Sequence, residues 1–179
     1  VPGVRLVEAM AISPSIDPRE IAARHLHELP RPLRAFMRVI GARAGLSPDI
    51  AAIIENAEAR TRHNDQLNLT IAFNYGGQDE IARAARRIAE EVAGGRLAPQ
   101  DITVERFGSF LDTCELPMPD LLIRTSGEAR LSNFMLWQAA YAEFVFSDVL
   151  WPDFDKDALS ASIAEFHRRE RRFGGHGAE

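Results

Sequence analysis

The order of apolar runs and turn-forming clusters constrains this chain more than any other feature. From residue 36 onward, short strand-like runs alternate with longer segments of helical period. Arg34 to Ile40 reads as a strand closed by Gly41. Ser47-Pro48-Asp49 then opens a helix to about His63, with Ile50, Ile53, Ile54, Ala57 and Glu58 at helical spacing. Asn64-Asp65-Gln66 is turn chemistry, and Leu67 to Phe73 reads as a buried strand. Asn74-Tyr75-Gly76-Gly77 leads into a second amphipathic helix carrying Ile81, Ala84, Ala85, Ile88 and Val92, ended by Gly94-Gly95. Val104 to Leu111 is a short helix, Asp120 to Arg124 a short apolar strand, and Thr125 to Arg130 a polar loop. Ser132 or Asn133 then caps a helix from Phe134 to about Tyr141 or Ala142, and Phe144 to Leu150 is a further strand. After Trp151-Pro152-Asp153-Phe154 the last helix runs from Lys156 to about Arg171. Such alternation predicts an α/β fold: a parallel β-sheet with right-handed crossovers and α-helices on both faces. Before residue 36 the prolines Pro2, Pro14, Pro18, Pro30 and Pro32 interrupt longer periodic segments, leaving one short helix opened by Asp17-Pro18-Arg19-Glu20.

A length of 179 residues suits a single domain spanning residues 1–179, and 46% hydrophobic with 26% charged residues suits a globular one. The net charge of −5 argues against a protein whose main task is coating nucleic acid, which favours a broadly basic surface. Cys114 is the sole cysteine, which excludes an intrachain disulfide framework and fits a reducing cytoplasm. No uninterrupted apolar run approaches the ~20 residues of a membrane-spanning helix, and the first residue is Val1 rather than Met.

The most informative stretch is Arg124-Thr125-Ser126-Gly127-Glu128-Ala129-Arg130-Leu131-Ser132-Asn133. It joins the carboxyl end of a strand to the expected amino end of a helix, where open α/β sheets place their ligands. Two arginines offer planar, permanently charged forks for phosphate oxygens, and backbone N–H groups with the Ser132 hydroxyl add donors, so a diphosphate is the natural guest. The competing reading pairs the arginines with surface carboxylates and leaves Ser132 a cap. Gly76 and Gly77 are expected to serve the turn itself, with Asn74 fixing it by side-chain hydrogen bonds. Arg168-Arg169-Glu170-Arg171-Arg172-Phe173-Gly174-Gly175 is the one concentration of positive charge, read as a solvated helix end or as a second anion contact through Arg172. Glu143 is a candidate magnesium ligand, its competing reading being an ordinary surface carboxylate. A continuous helix would put it about 16 Å from Ser132, too far for both to touch one diphosphate within one subunit. Trp137, Tyr141, Phe144, Phe146, Trp151 and Phe154 read as core and interface packing, and the histidines form no metal-ligand spacing.

The run from Asp120 to Phe154, DLLIRTSGEARLSNFMLWQAAYAEFVFSDVLWPDF, resembles the signature region of the cis-prenyltransferases, the family of bacterial undecaprenyl diphosphate synthase. Asn74-Tyr75-Gly76-Gly77 with Asp79-Glu80-Ile81, and Arg169 to Gly175, match the same family in order and spacing, so the likeness covers about residues 36 to 175. The resemblance implies a parallel sheet flanked by helices, assembled as a homodimer in the cytoplasm. It also implies magnesium-dependent condensation of isopentenyl diphosphate onto an allylic diphosphate such as farnesyl diphosphate. The lipid product implies peripheral membrane contact, although nothing in the chain resembles an anchor. Carried over by position, Arg124, Arg130, Leu131 and Ser132 hold the isopentenyl diphosphate, Glu143 is the magnesium ligand, and Arg172 with Gly174 reaches a diphosphate across the dimer interface. The family's catalytic aspartate lies in an Asp-Gly-Asn-Gly-Arg-Trp loop, and no Asp in this sequence is followed by Gly; a Phe-Ser-x-Glu-Asn segment is also absent. The expectation that follows is a missing N-terminal part and no assignable catalytic residue. It keeps open a non-catalytic or truncated subunit that lends Arg172-Phe173-Gly174 to a complete partner. A generic phosphate-binding module would explain the arginine loop alone.

Overall fold

The computed structural model describes residues 6–8 and 35–169, which fall into two compact units. The expected helix at Asp17 to Leu29 and the positions of Arg172 and Gly174 lie outside the described residues.

In the first unit, β1 (Leu6–Glu8), β4 (Leu121–Arg124) and β5 (Glu143–Phe146) form a parallel sheet of order β1-β4-β5, with Leu6 opposite Leu121 and Leu121 opposite Glu143. β4 is the centre because its three apolar residues can be buried on both faces, as a central parallel strand requires. Leu121 and Ile123 pack with Val145 against Phe154, Leu159, Ile163 and Phe166. Leu122, on the opposite face, packs with Ala139 under Leu131, Phe134, Ala142 and Phe144. One cover is the helix Lys156–Arg168, whose Leu159, Ile163 and Phe166 recur at helical spacing. Asp155 caps it by accepting from the N–H groups of Asp157 at 3.0 Å and Ala158 at 2.9 Å.

The other cover departs from expectation. Residues 134–142 do not form the predicted α-helix; the only regular turn is a 3-10 segment at Gln138–Tyr141. Ser132, Asn133 and Met135 have φ of 49°, 61° and 46°, and left-handed backbone at three nearby positions cannot continue a right-handed helix. The 16 Å separation that a helix would impose between Ser132 and Glu143 therefore does not apply. β5 also stops at Phe146 rather than Leu150, because the carbonyls of Ser147 and Val149 accept from Gly127 and Ser126 instead of extending the ladder. Among the aromatics, Phe144 and Phe154 join the two packed faces, but Tyr141 and Phe146 are 81% and 50% exposed and are not core residues.

In the second unit, β2 (Ala35–Ile40) and β3 (Leu67–Ala72) pair in parallel, Ala35 opposite Leu67, so the described strands form two sheets. β3 is less covered than a buried strand: Leu67 and Asn68 are exposed and the rest half-buried. The helices are α1 (Pro48–Thr61), α2 (Gly77–Ala93) and α3 (Val104–Gly108); the helix Lys156–Arg168 of the first unit is α4. α3 ends at Gly108, earlier than the expected Leu111, and is followed by the C-cap Ser109, whose hydroxyl donates to the Arg106 carbonyl at 2.7 Å. The outer edge of β2 is occupied by side chains. Met37 N–H donates to Thr61 Oγ1 at 3.1 Å and Val39 N–H to Glu58 Oε1 at 2.9 Å, while the carbonyls of Ala35 and Val39 accept from Asn64 and Arg43. Satisfying an edge strand's backbone in this way removes the template on which another strand could pair.

In the Asn-Tyr-Gly-Gly turn Asn74 forms the expected side-chain hydrogen bond, but the left-handed position is its own and not a glycine's. Gly76 is extended (φ −149°), and Asn74 takes the left-handed turn at φ 49°, its side-chain amide donating to the Ala42 carbonyl at 2.7 Å. The glycine the geometry demands is Gly41. It sits at φ 123°, where a Cβ would stand 2.1 Å from the Phe73 carbonyl oxygen.

Candidate functional site

The loop following β4 is built on paired backbone. The Arg124 carbonyl accepts from Ser147 N–H at 2.8 Å, Ser126 N–H donates to the Val149 carbonyl at 2.9 Å, and Gly127 N–H donates to the Ser147 carbonyl at 3.0 Å. Ser126 and Gly127 take the turn at φ 69° and 66°. These bonds fix the start of the loop on the segment that follows β5, so the residues beyond it project from a rigid base.

Arg124, the last residue of β4, and Ser132 are brought together: Arg124 Nη2 donates to Ser132 Oγ at 3.5 Å. Arg130 is largely exposed and forms an ion pair with Glu128. Leu131 is half-buried against Leu122, so its part is to anchor the loop between two polar neighbours. Backbone donors at Ser132 and Asn133 come from left-handed turns, and the helix amino terminus expected there is absent from the described residues. What remains for an anion is two guanidinium groups and a hydroxyl on one loop, a donor set suited to the oxygens of a diphosphate.

Glu143 opens β5, with its N–H donating to the Asp120 carbonyl at 2.9 Å. Its carboxylate faces Arg169, whose Nη1 lies 3.3 Å from Glu143 Oε2 and donates to the Phe144 carbonyl at 2.5 Å; Arg169 Nε donates to Glu165 at 3.2 Å. Among the described residues no group of three or more His, Cys, Asp or Glu side chains could hold a metal ion. One carboxylate already facing a guanidinium does not by itself fit magnesium, which takes several oxygen ligands. Arg169 as the partner of Glu143, and Glu128 as the partner of Arg130, are the two neighbours that reading the sequence did not supply. The Glu128–Arg130 spacing within the loop is the one signal that could have suggested the second.

A separate open cleft of about 620 Å³ lies in the second unit beside β2, lined in part by Arg43, Glu58, Arg83, Arg87 and Asp112. These five charges are already paired. Arg83 makes a two-pronged contact with Asp112 at 2.7 and 2.8 Å and binds Asp79 at 2.8 Å, Arg87 adds a second cation to Asp112, and Arg43 binds Glu58 at 2.6 Å. Burial pushes the Asp112 carboxyl up, but the hydrogen bonds and charges of Arg83 and Arg87 outweigh it and hold Asp112 below its ordinary value. The same balance acts on Glu58. Burial raises it, while Arg43, the Val39 N–H and the Arg38 charge together lower it further. The Asp112 hydrogen bond raises Arg83, against burial. One group of pairs braces α1 against β2, and the other braces α2 against the turn at Asp112.

Comparison with known proteins supplies the context. A prenyltransferase family model, described as undecaprenyl diphosphate synthase, matches residues 8–174. Isoprenyl transferase 2 of Bradyrhizobium diazoefficiens is 58% identical over 139 residues, covering 78% of this chain and 55% of that protein. The ditrans,polycis-undecaprenyl-diphosphate synthase ((2E,6E)-farnesyl-diphosphate specific) of Pseudomonas syringae pv. tomato is 53% identical over 138 residues, covering 77% and 55%. The chain thus spans about half the length of the curated relatives it matches. Among solved structures, lavandulyl diphosphate synthase from Lavandula x intermedia, in complex with dimethylallyl diphosphate, superposes with a TM-score of 0.81 at 36% identity, over 87% of this chain and 67% of that one.

Proposed function

Since this chain belongs to the undecaprenyl diphosphate synthase family of prenyltransferases, we propose that its Arg124–Ser132 loop is the isopentenyl diphosphate subsite of a cis-prenyltransferase. The reaction joins isopentenyl diphosphate to an allylic diphosphate such as farnesyl diphosphate, repeatedly, toward undecaprenyl diphosphate for a cell-wall lipid carrier. The isopentenyl double bond attacks the allylic carbon, the C–O bond of the allylic ester breaks to release inorganic diphosphate, and a proton is lost from the isopentenyl unit. In this scheme Arg124 and Arg130 neutralise diphosphate charge, Ser132 donates a hydrogen bond, and Leu131 holds the loop against the sheet. The observation that carries the reading is the meeting of Arg124 with Ser132 at the carboxyl end of the central strand. Arg172 and Gly174, as a contact across a homodimer, belong to the same proposal, as do a single domain, a cytoplasmic setting and peripheral membrane contact through the product. Among the described residues no helix is long and apolar enough to cross a membrane. Magnesium belongs to the same proposal through Glu143, but the described donor set does not fit it alone.

A second reading, drawn from the lack of any Asp followed by Gly in the given sequence, is a non-catalytic or truncated subunit that lends Arg172 and Gly174 to a complete partner. Long-chain product from the purified 179-residue protein with labelled isopentenyl diphosphate, farnesyl diphosphate and magnesium would exclude it. The subsite itself is tested by calorimetry. Arg124→Ala and Arg130→Ala are each expected to weaken isopentenyl diphosphate binding by about 1.5–3 kcal/mol, the scale of a charge-assisted hydrogen bond. Unchanged affinity in both variants would overturn the subsite.

A further inference from the structure

We infer that Glu128 is a built-in competitor for the diphosphate, holding Arg130 when the subsite is empty and giving it up when isopentenyl diphosphate binds. The inference rests on the subsite reading and adds a residue that sets its affinity. Three observations carry it. The Glu128 carboxylate is paired with Arg130, the arginine assigned to the diphosphate, two positions along the same loop. The pair is asymmetric. Arg130 is 68% exposed and Glu128 35%, and Glu128 Oε2 is buried with no hydrogen bond beyond that ion pair. The carboxylate is also held in place, because the preceding Ser126 and Gly127 are bonded through their N–H groups to Val149 and Ser147. The guanidinium on its long, solvated stem is therefore the half of the pair that can move.

Chemistry completes the argument. A carboxylate offers a guanidinium the same two-oxygen face as a phosphate, but with less negative charge. A diphosphate therefore outcompetes it, at a reduced net gain, since binding breaks one ion pair and brings the anion near the Glu128 charge. A partly exposed pair is worth little by itself, so the exchange lowers affinity without abolishing binding. The same residue reclaims Arg130 when the ligand leaves, which speeds release. Glu128 is thus a positioning residue that acts through Arg130.

The test is calorimetric binding of isopentenyl diphosphate, and separately of inorganic diphosphate, to the full chain and to Glu128→Gln, Glu128→Ala, Arg130→Ala and the Glu128→Gln/Arg130→Ala double variant. Both Glu128 variants are expected to bind about three- to tenfold tighter than wild type, with slower dissociation. On the Arg130→Ala background the gain from Glu128→Gln is expected to fall to less than half, a coupling that a merely structural Glu128 would not produce. If Arg130→Ala weakens binding while both Glu128 variants bind no tighter, the competitor role is wrong and the subsite stands. If Arg130→Ala leaves binding unchanged, Arg130 does not hold the diphosphate and the competitor role falls with it; the subsite reading itself fails if Arg124→Ala leaves binding unchanged as well.

Discussion

Glu80 is fully buried in α2, and its two oxygens hold the second unit together. Oε2 accepts from the Tyr75 hydroxyl at 2.6 Å and Oε1 from the Asp112 N–H at 2.8 Å, tying the Asn-Tyr-Gly-Gly turn to the start of the Asp112 turn. Glu80→Ala strands the Asp112 donor, at about 1–3 kcal/mol, and the Tyr75 hydroxyl, at about 1 because that ring is part-buried and can reach water. Loss of one buried methylene adds about 0.8 kcal/mol, for a total of about 3–5. Glu80→Gln behaves differently, because its amide can orient Oε1 to the Asp112 N–H and donate through Nε2 to the Tyr75 oxygen; it is expected to cost under about 1.5 kcal/mol. Both tryptophans, Trp137 and Trp151, lie in the other unit, so fluorescence reports the wrong region. Hydrogen exchange of the α2 amides, with urea unfolding followed by circular dichroism, reads the effect where it occurs. An Ala variant within about 1 kcal/mol of wild type, or a Gln variant as damaging as Ala, would refute the reasoning.

The remaining expectations concern the edge of β2, a glycine and the metal. Glu58 and Asp112 have folded values below their ordinary 4.5 and 3.8, so the stability they contribute is complete above those values and is lost as pH falls through the lower folded ones. Acid unfolding of residues 35–116 should therefore steepen below about pH 4.5, and Glu58→Gln should flatten that slope; an unchanged slope contradicts the assignment. Gly41→Ala meets the Phe73 carbonyl and an unfavourable φ, and is expected to cost about 2 kcal/mol or more in urea unfolding. Chelation with EDTA is expected to leave isopentenyl diphosphate binding within about twofold, because arginines and a hydroxyl supply the contacts; complete loss would show that a cation bridges them.

Much of this fold is legible in the sequence. Apolar runs at Leu121–Ile123 and Leu67–Ala72 announce strands and the period of Ile81, Ala84 and Ile88 announces α2, because each signal is local, whereas the Asp155 cap is visible only in the structure. Where the reading failed, the deciding interactions were distant. Residues 134–142 have helical spacing, yet Ser132, Asn133 and Met135 adopt left-handed backbone in a loop packed over Leu122. β5 ends early because Ser126 and Gly127 claim its next carbonyls. Arg124 and Ser132 could be grouped from their chemistry, whereas Arg169 facing Glu143 across 26 positions could not.

The central claim is that Arg124, Arg130 and Ser132 hold one diphosphate. The direct measurement is a crystal structure of this chain with isopentenyl diphosphate, or its non-reactive thio analogue. The account predicts phosphate oxygens within hydrogen-bonding distance of both guanidinium groups and the Ser132 hydroxyl, with Arg130 turned away from Glu128. Diphosphate density elsewhere, with Arg130 still on Glu128 and Arg124 still on Ser132, would contradict it.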